Sequence, residues 1–170
     1  METENVCRRS TMPRAWGRRS GWALLLFGLI FAGAASAEEG ATATYDQCAP
    51  DGVAIGGYDL VSYFLPDGPQ PGNAQHATER DGYRYLFASA ENLEQFLADP
   101  DRYLPRYRGW CAATLSMGRL ACPDPTNYKI ENGSLLLFEQ IGFTNGKTLW
   151  DTDPSGFRAQ ADEHARRLLQ

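Results

Sequence analysis

The chain is expected to fold as an α+β domain, a small antiparallel sheet built from hairpins with helices packed on it. Three observations predict this. Asp81-Gly82 and Asn132-Gly133 each lie between short β-prone runs, and such dipeptides close two-residue hairpins because both central residues need a positive φ. Asp99-Pro100 and Asp153-Pro154 read as helix starts, since proline suits the first helical position and aspartate the cap before it. No alternation of strand, helix and strand links these pieces, so sheet and helices segregate.

Taken in order, Val61-Ser-Tyr-Phe64 reads as a short strand ended by Pro66-Asp-Gly-Pro69. Residues 77–80 and 83–87 form the first hairpin, and alternation puts Tyr83, Tyr85 and Phe87 on one face. Ser89 caps a helix over 90–98, with Glu91 near its positive end and Leu93, Phe96 and Leu97 as the inward stripe. A second helix starts at Pro100. Residues 128–131 and 134–138 make the second hairpin, and a final helix runs from Pro154 to about Leu169 with Phe157, Ala161, Ala165 and Leu168 on one face. No linker, repeat or low-complexity tract is visible after Pro50, so 51–170 is expected to be one domain.

With 43% hydrophobic and 22% charged residues in 170, the composition is that of one globular domain. The formal charge of −5 leaves no basic footprint for DNA or RNA. Residues 1–37 read as a cleaved signal peptide: Arg8, Arg9, Arg14, Arg18 and Arg19 precede the apolar run Trp22–Phe31, and Ala35-Ser36-Ala37 suits cleavage before Glu38. The apolar core is about 10 to 15 residues, short of the roughly 20 of a membrane-spanning helix. Arg18-Arg19 gives a twin-arginine alternative to general secretion. The expected location is therefore periplasmic or secreted, with a soluble mature domain. Cleavage removes five basic and two acidic residues, leaving eleven basic against nineteen acidic, a net charge of −8. Residues 38–50 read as a flexible lead-in.

That mature chain has three cysteines (Cys48, Cys111, Cys122) and two histidines (His76, His164). It lacks C-x-x-C, H-x-x-E-H, G-x-S-x-G and any phosphate-cradling loop. In an oxidising compartment three cysteines suggest one disulfide and one leftover thiol, and composition alone leaves all three pairings open. His76 reads as an exposed loop residue before the first strand, His164 as a surface cap near the last helix's C-terminus, and Met117 as core.

Four segments carry a resemblance: Asp51-Gly-Val-Ala-Ile-Gly-Gly-Tyr-Asp-Leu-Val-Ser-Tyr-Phe64, Tyr85-Leu-Phe-Ala-Ser-Ala-Glu-Asn92, Phe96-Leu-Ala-Asp-Pro-Asp-Arg-Tyr103 and Pro105-Arg-Tyr-Arg-Gly-Trp-Cys-Ala112. Together they resemble exported bacterial YHS-domain proteins, a mostly uncharacterised subgroup, over about residues 51–165. The better-understood YHS modules accompany heavy-metal transporters and are read as metal-binding through cysteines. Laid on this chain, the three cysteine positions of that pattern become Ser62, Ala88 and Asn92. None offers a thiolate, so the resemblance does not carry copper or zinc binding with it. In the exported subgroup the positions of Cys48 and Cys122 do not usually hold cysteine, and their joint appearance implies a Cys48–Cys122 disulfide.

Cys111 is then the free thiol, and three readings stand: a buried core cysteine, a soft metal ligand, or a reactive thiol favoured by a helix start and by nearby Arg106 and Arg108. Cys111, Trp110, Tyr58 and Asp59 are the candidate binding residues, with Asp59 structural unless it lines a pocket. The cofactor is undetermined, a metal ion being one option. The leading expectation is an exported, non-enzymatic small binding domain of the YHS type, whose partner is a small ligand, a metal ion or another exported protein. The alternatives are a thiol-dependent enzyme or redox protein using Cys111, and a structural or partner-interaction module.

Overall fold

The structure, a computed structural model, describes residues 48–169. The expected signal segment 1–37 and nearly all of the expected lead-in 38–50 lie outside the described residues. The α+β class is what the described chain shows: three antiparallel hairpins and five helices. The hairpins do not join edge to edge; each remains a two-stranded ladder.

Strands β1 (Asn73–Arg80) and β2 (Tyr83–Phe87) pair around Asp81-Gly82, whose φ angles of 52° and 83° are those the turn requires. Strands β3 (Asp124–Glu131) and β4 (Ser134–Phe138) pair around Asn132-Gly133, at 52° and 75°. A third, short hairpin, β5 (Gln140–Ile141) and β6 (Thr144–Asn145), follows directly.

Helix α1 (Ala90–Ala98) starts where expected, because the Ser89 hydroxyl accepts the Asn92 N–H. Phe96 is buried against Phe87 and Tyr85 at centroid distances of 4.9 and 5.7 Å. Leu97 is a correction: it is 55% exposed, because one residue of helix turns the side chain about 100° away from Phe96. Helix α2 (Pro100–Tyr103) begins at the expected Asp-Pro, but Asp99 does not cap it with its side chain. Its N–H instead closes the end of α1 on Gln95 O.

The expected strand at Val61–Phe64 is a second correction. Ser62–Phe64 is a 3-10 turn, because the Ser62 hydroxyl donates back to Asp59 O at 2.6 Å while Asp59 Oδ1 accepts the Val61 N–H at 2.8 Å. Local side-chain hydrogen bonds outweigh β propensity in so short a run.

Helix α3 (Ala112–Ser116) starts from Cys111, α4 (Gly146–Trp150) from Asn145, and α5 (Pro154–Leu168) from Asp153, whose carboxylate accepts the Gly156 N–H. Trp150, Phe138, Leu135, Leu136, Leu137, Phe87 and Phe96 form the heart of the core. Each such buried side chain contributes roughly 1.5–3 kcal/mol. Glu131 sits at the rim of this core, accepting from Trp150 Nε1 at 3.2 Å and from Lys129 and Arg158. Burial works against the Glu131 carboxylate, yet the hydrogen bonds from Arg158, Lys129 and Trp150 outweigh it and hold its pKa below the ordinary value. Cys48 and Cys122 form a disulfide that closes a separation of 74 residues, and Ala49 beside it is buried.

Candidate functional site

Asp59 lies on the turn between the 3-10 segment Ala54–Gly57 and Ser62–Phe64, with none of its surface exposed. Its Oδ1 accepts the Val61 N–H at 2.8 Å and the Ser62 N–H at 3.4 Å. Its Oδ2 accepts the Ala88 N–H at 2.9 Å and Asn92 Nδ2 at 2.6 Å. The Ser62 hydroxyl, besides donating to Asp59 O, accepts the Gln70 N–H at 2.8 Å. Ser62, Ala88 and Asn92 are far apart in sequence, yet all three converge on this one carboxylate.

Cys111 is also fully buried, and its Sγ accepts the Glu139 N–H at 3.3 Å. Its backbone is held on both sides, through its own N–H to Ala121 O at 3.0 Å and a parallel bridge to Leu137. Trp110 is buried at 2% exposure and Tyr58 half-buried, its backbone bridging Pro71. The four sequence candidates therefore do not make one site. Asp59 locks the residue after β2, Cys111 the residue after β4.

The positive charge expected beside Cys111 is directed elsewhere. Arg106 makes a bidentate pair with Asp162 of α5 at 3.1 and 3.0 Å, and Tyr107 donates to the same carboxylate at 2.9 Å. Burial, and then the hydrogen bond to Asp162, push the Tyr107 hydroxyl up to about 12. Burial opposes ionisation of Asp162 as well, but the bonds from Arg106 and Tyr107 outweigh it and lower its pKa. Arg108 is exposed in a left-handed conformation.

Three smaller expectations change. His164 does cap a helix, but the helix is α3: its Nδ1 is 2.9 Å from Leu115 O and its ring lies over Gly118. His76 lies within β1, in the bulge between Asn73 and Ala77, rather than in a preceding loop. Met117 is 48% exposed at the C-cap of α3, not core.

The family model for the YHS domain matches residues 67–107. The chain contains a YHS domain. That span runs from the turn before β1 through α2 and includes Ala88 and Asn92. No curated protein and no solved structure matches the chain.

The metal association of YHS modules can be tested on this geometry, and the residues do not fit. Ala88 has no side-chain donor, Asn92 turns its amide nitrogen toward Asp59, and Ser62 already donates and accepts. Among the described residues no group of three His, Cys, Asp or Glu side chains gathers as a ligand set. At these three positions the chain has a satisfied hydrogen-bond network centred on a carboxylate.

A feature missed in the sequence is the β5–β6 hairpin. Ile141 is 66% exposed and Phe143, at its tip, 109%. No charged residue occurs from Gln140 to Gly146. The signal was present as Ile141-Gly142-Phe143, two large apolar residues around a glycine whose φ is 56°.

Proposed function

We propose that the chain is an exported, non-enzymatic interaction module of the YHS type that meets a partner protein through the β5–β6 hairpin. The observation that carries this reading is the full exposure of Phe143 beside Ile141 on an uncharged tip, set against the enclosure of Cys111 and Asp59. An enclosed thiol and a carboxylate with both oxygens hydrogen-bonded are poor reaction centres, whereas a protruding Phe suits an apolar pocket. Anionic lipid fits less well. The mature chain is acidic, and one small apolar tip is far short of the two signals that stable membrane anchoring takes.

Burying one phenylalanine contributes roughly 1.5–3 kcal/mol, so Phe143→Ser should weaken such a complex by about 10- to 100-fold. The test places a photo-crosslinking residue at 143 in the exporting host and repeats the experiment with Ile141→Asp. A single protein adduct that the second change abolishes supports the reading. Crosslinks to lipid alone, or protein adducts indifferent to Ile141→Asp, refute it. Sequencing the N-terminus of the exported form tests cleavage before Glu38.

A further inference from the structure

No repeat is visible in the sequence, yet the two hairpins share one construction. Strands β1 and β3 are eight residues long, β2 and β4 five, and both pairs have the same register. Asn73 faces Phe87 and, after a three-residue bulge, Ala77 faces Leu86; Asp124 faces Phe138 and, after the same bulge, Tyr128 faces Leu137. In each bulge the first side chain accepts the N–H two residues on, Asn73 from Gln75 at 2.9 Å and Asp124 from Thr126 at 2.8 Å.

The likeness extends on both sides. Before the first hairpin, Gly56 and Gly57 take φ of 59° and 79°; before the second, Arg108 and Gly109 take 53° and 90°. An aromatic residue follows in each case, Tyr58 or Trp110, and then Asp59 or Cys111. Asp59 N–H donates to Gln70 O at 2.9 Å, and Cys111 N–H to Ala121 O at 3.0 Å. The hydroxyl three residues later donates back, Ser62 to Asp59 O and Thr114 to Cys111 O. Each of these two side chains accepts the first N–H beyond the hairpin, Asp59 from Ala88 and Cys111 from Glu139. A capped helix comes next, starting from Ser89 or Asn145, each of which accepts the N–H three residues on. An aromatic side chain, Phe96 or Trp150, lies three residues before the Asp-Pro that opens the following helix and packs on Phe87 or Phe138.

We propose that the domain is an internal duplication: residues 56–103 and 108–168 are two copies of one hairpin-and-helix unit, with Asp59 and Cys111 at equivalent locking positions. The copies differ at their ends, where the last helix has four residues in the first and fifteen in the second, and internally at one main place. Phe87-Ala88-Ser89 passes straight into α1, whereas Phe138-Glu139 is separated from Asn145 by Gln140–Thr144, the five residues that make most of the exposed hairpin. The excursion returns to its starting point, for Gly146 N–H donates to Glu139 O at 3.0 Å. The surface assigned above to a partner is thus an addition to the second copy, outside the unit that folds. The duplication itself stands whether or not that partner exists.

Two variants test it. One deletes Gln140–Thr144, with a companion that keeps a single glycine at the junction against closure strain. The other inserts Gln-Ile-Gly-Phe-Thr between Ala88 and Ser89. Equivalent copies require both to fold cooperatively, with a thermal midpoint within about 5 °C of the parent. In both, the amides of Ala88 and Glu139 should stay protected from hydrogen exchange. Loss of cooperative unfolding in the insertion variant, or in both deletion forms, overturns the duplication, as does loss of protection at Glu139 in a folded deletion. A folded deletion whose parent's crosslinks at the tip prove indifferent to Ile141→Asp would leave the duplication standing and remove the interaction reading.

Discussion

Replacing Asp59 by alanine should be among the most damaging single changes in the domain. The carboxylate is completely buried, and its removal orphans the N–H groups of Val61 (2.8 Å) and Ala88 (2.9 Å) and the side-chain amide of Asn92 (2.6 Å). A buried donor left without an acceptor costs about 1–3 kcal/mol. Three of them, partly relieved by relaxation, give a loss of about 4 kcal/mol, a large part of the roughly 5–15 kcal/mol of a typical domain. Urea unfolding followed by tryptophan fluorescence reads this directly. With a slope of about 1–3 kcal/mol/M, the midpoint should fall by about 2 M. Asp59→Asn keeps the shape and one accepting oxygen but turns an NH2 toward donors, so it should lose roughly half as much. Alanine at exposed Asp67 serves as the control. A loss within about 1 kcal/mol for Asp59→Ala would refute the claim that this carboxylate holds the 3-10 turn, β2 and α1 together.

Four further outcomes follow from the same reasoning. Reducing Cys48–Cys122, which spans 74 residues, should cost up to roughly 4 kcal/mol on chain-entropy grounds, seen as a lower urea midpoint in dithiothreitol. Cys111 should resist iodoacetamide in the native protein and react only on unfolding. Cys111→Ser should keep the Glu139 N–H accepted, while Cys111→Val should orphan it at a cost of about 1–3 kcal/mol, both measured by urea unfolding. Tyr107, raised by burial and then by Asp162, gives stability that is fully present below the ordinary tyrosine value near 10.0 and lost as pH rises toward about 12. Ultraviolet titration should show Tyr85 and Tyr107 ionising late, with Tyr107 the later and alone shifted downward in Asp162→Asn; a titration curve that this change leaves unaltered refutes the assignment.

Much of the fold was legible because single residues dictate backbone geometry. Asp81-Gly82 and Asn132-Gly133 announce positive φ at two successive positions, and Ser89 and the Asp-Pro pairs announce helix starts. What escaped depends on contacts distant in sequence. Val61–Phe64 has strand-like composition, but its conformation follows the acceptors on Asp59. His164 has the position of a cap for its own helix, yet the carbonyl it meets belongs to Leu115, 49 residues earlier. The repeat escaped because the paired strands share few residues beyond Gly82 and Gly133, Leu86 and Leu137, and Phe87 and Phe138. Register and bulge are preserved by backbone hydrogen bonds, which leave little trace in side-chain identity.

The candidate site illustrates the same difference between residue type and residue role. A lone buried cysteine in a chain with a YHS domain invites a metal or redox interpretation. Its counterpart in the first unit is an aspartate, and the two side chains do one common thing: each accepts the N–H of the residue leaving the hairpin. A carboxylate with four donors and a thiol with one have little chemistry in common beyond being acceptors. What the position demands is therefore an acceptor of the right reach, and the Cys111 sulfur meets that demand by accepting the Glu139 N–H. Surface chemistry is then sought where the two units differ. Within the unit that is the inserted hairpin, whose apolar tip no packing among the described residues explains.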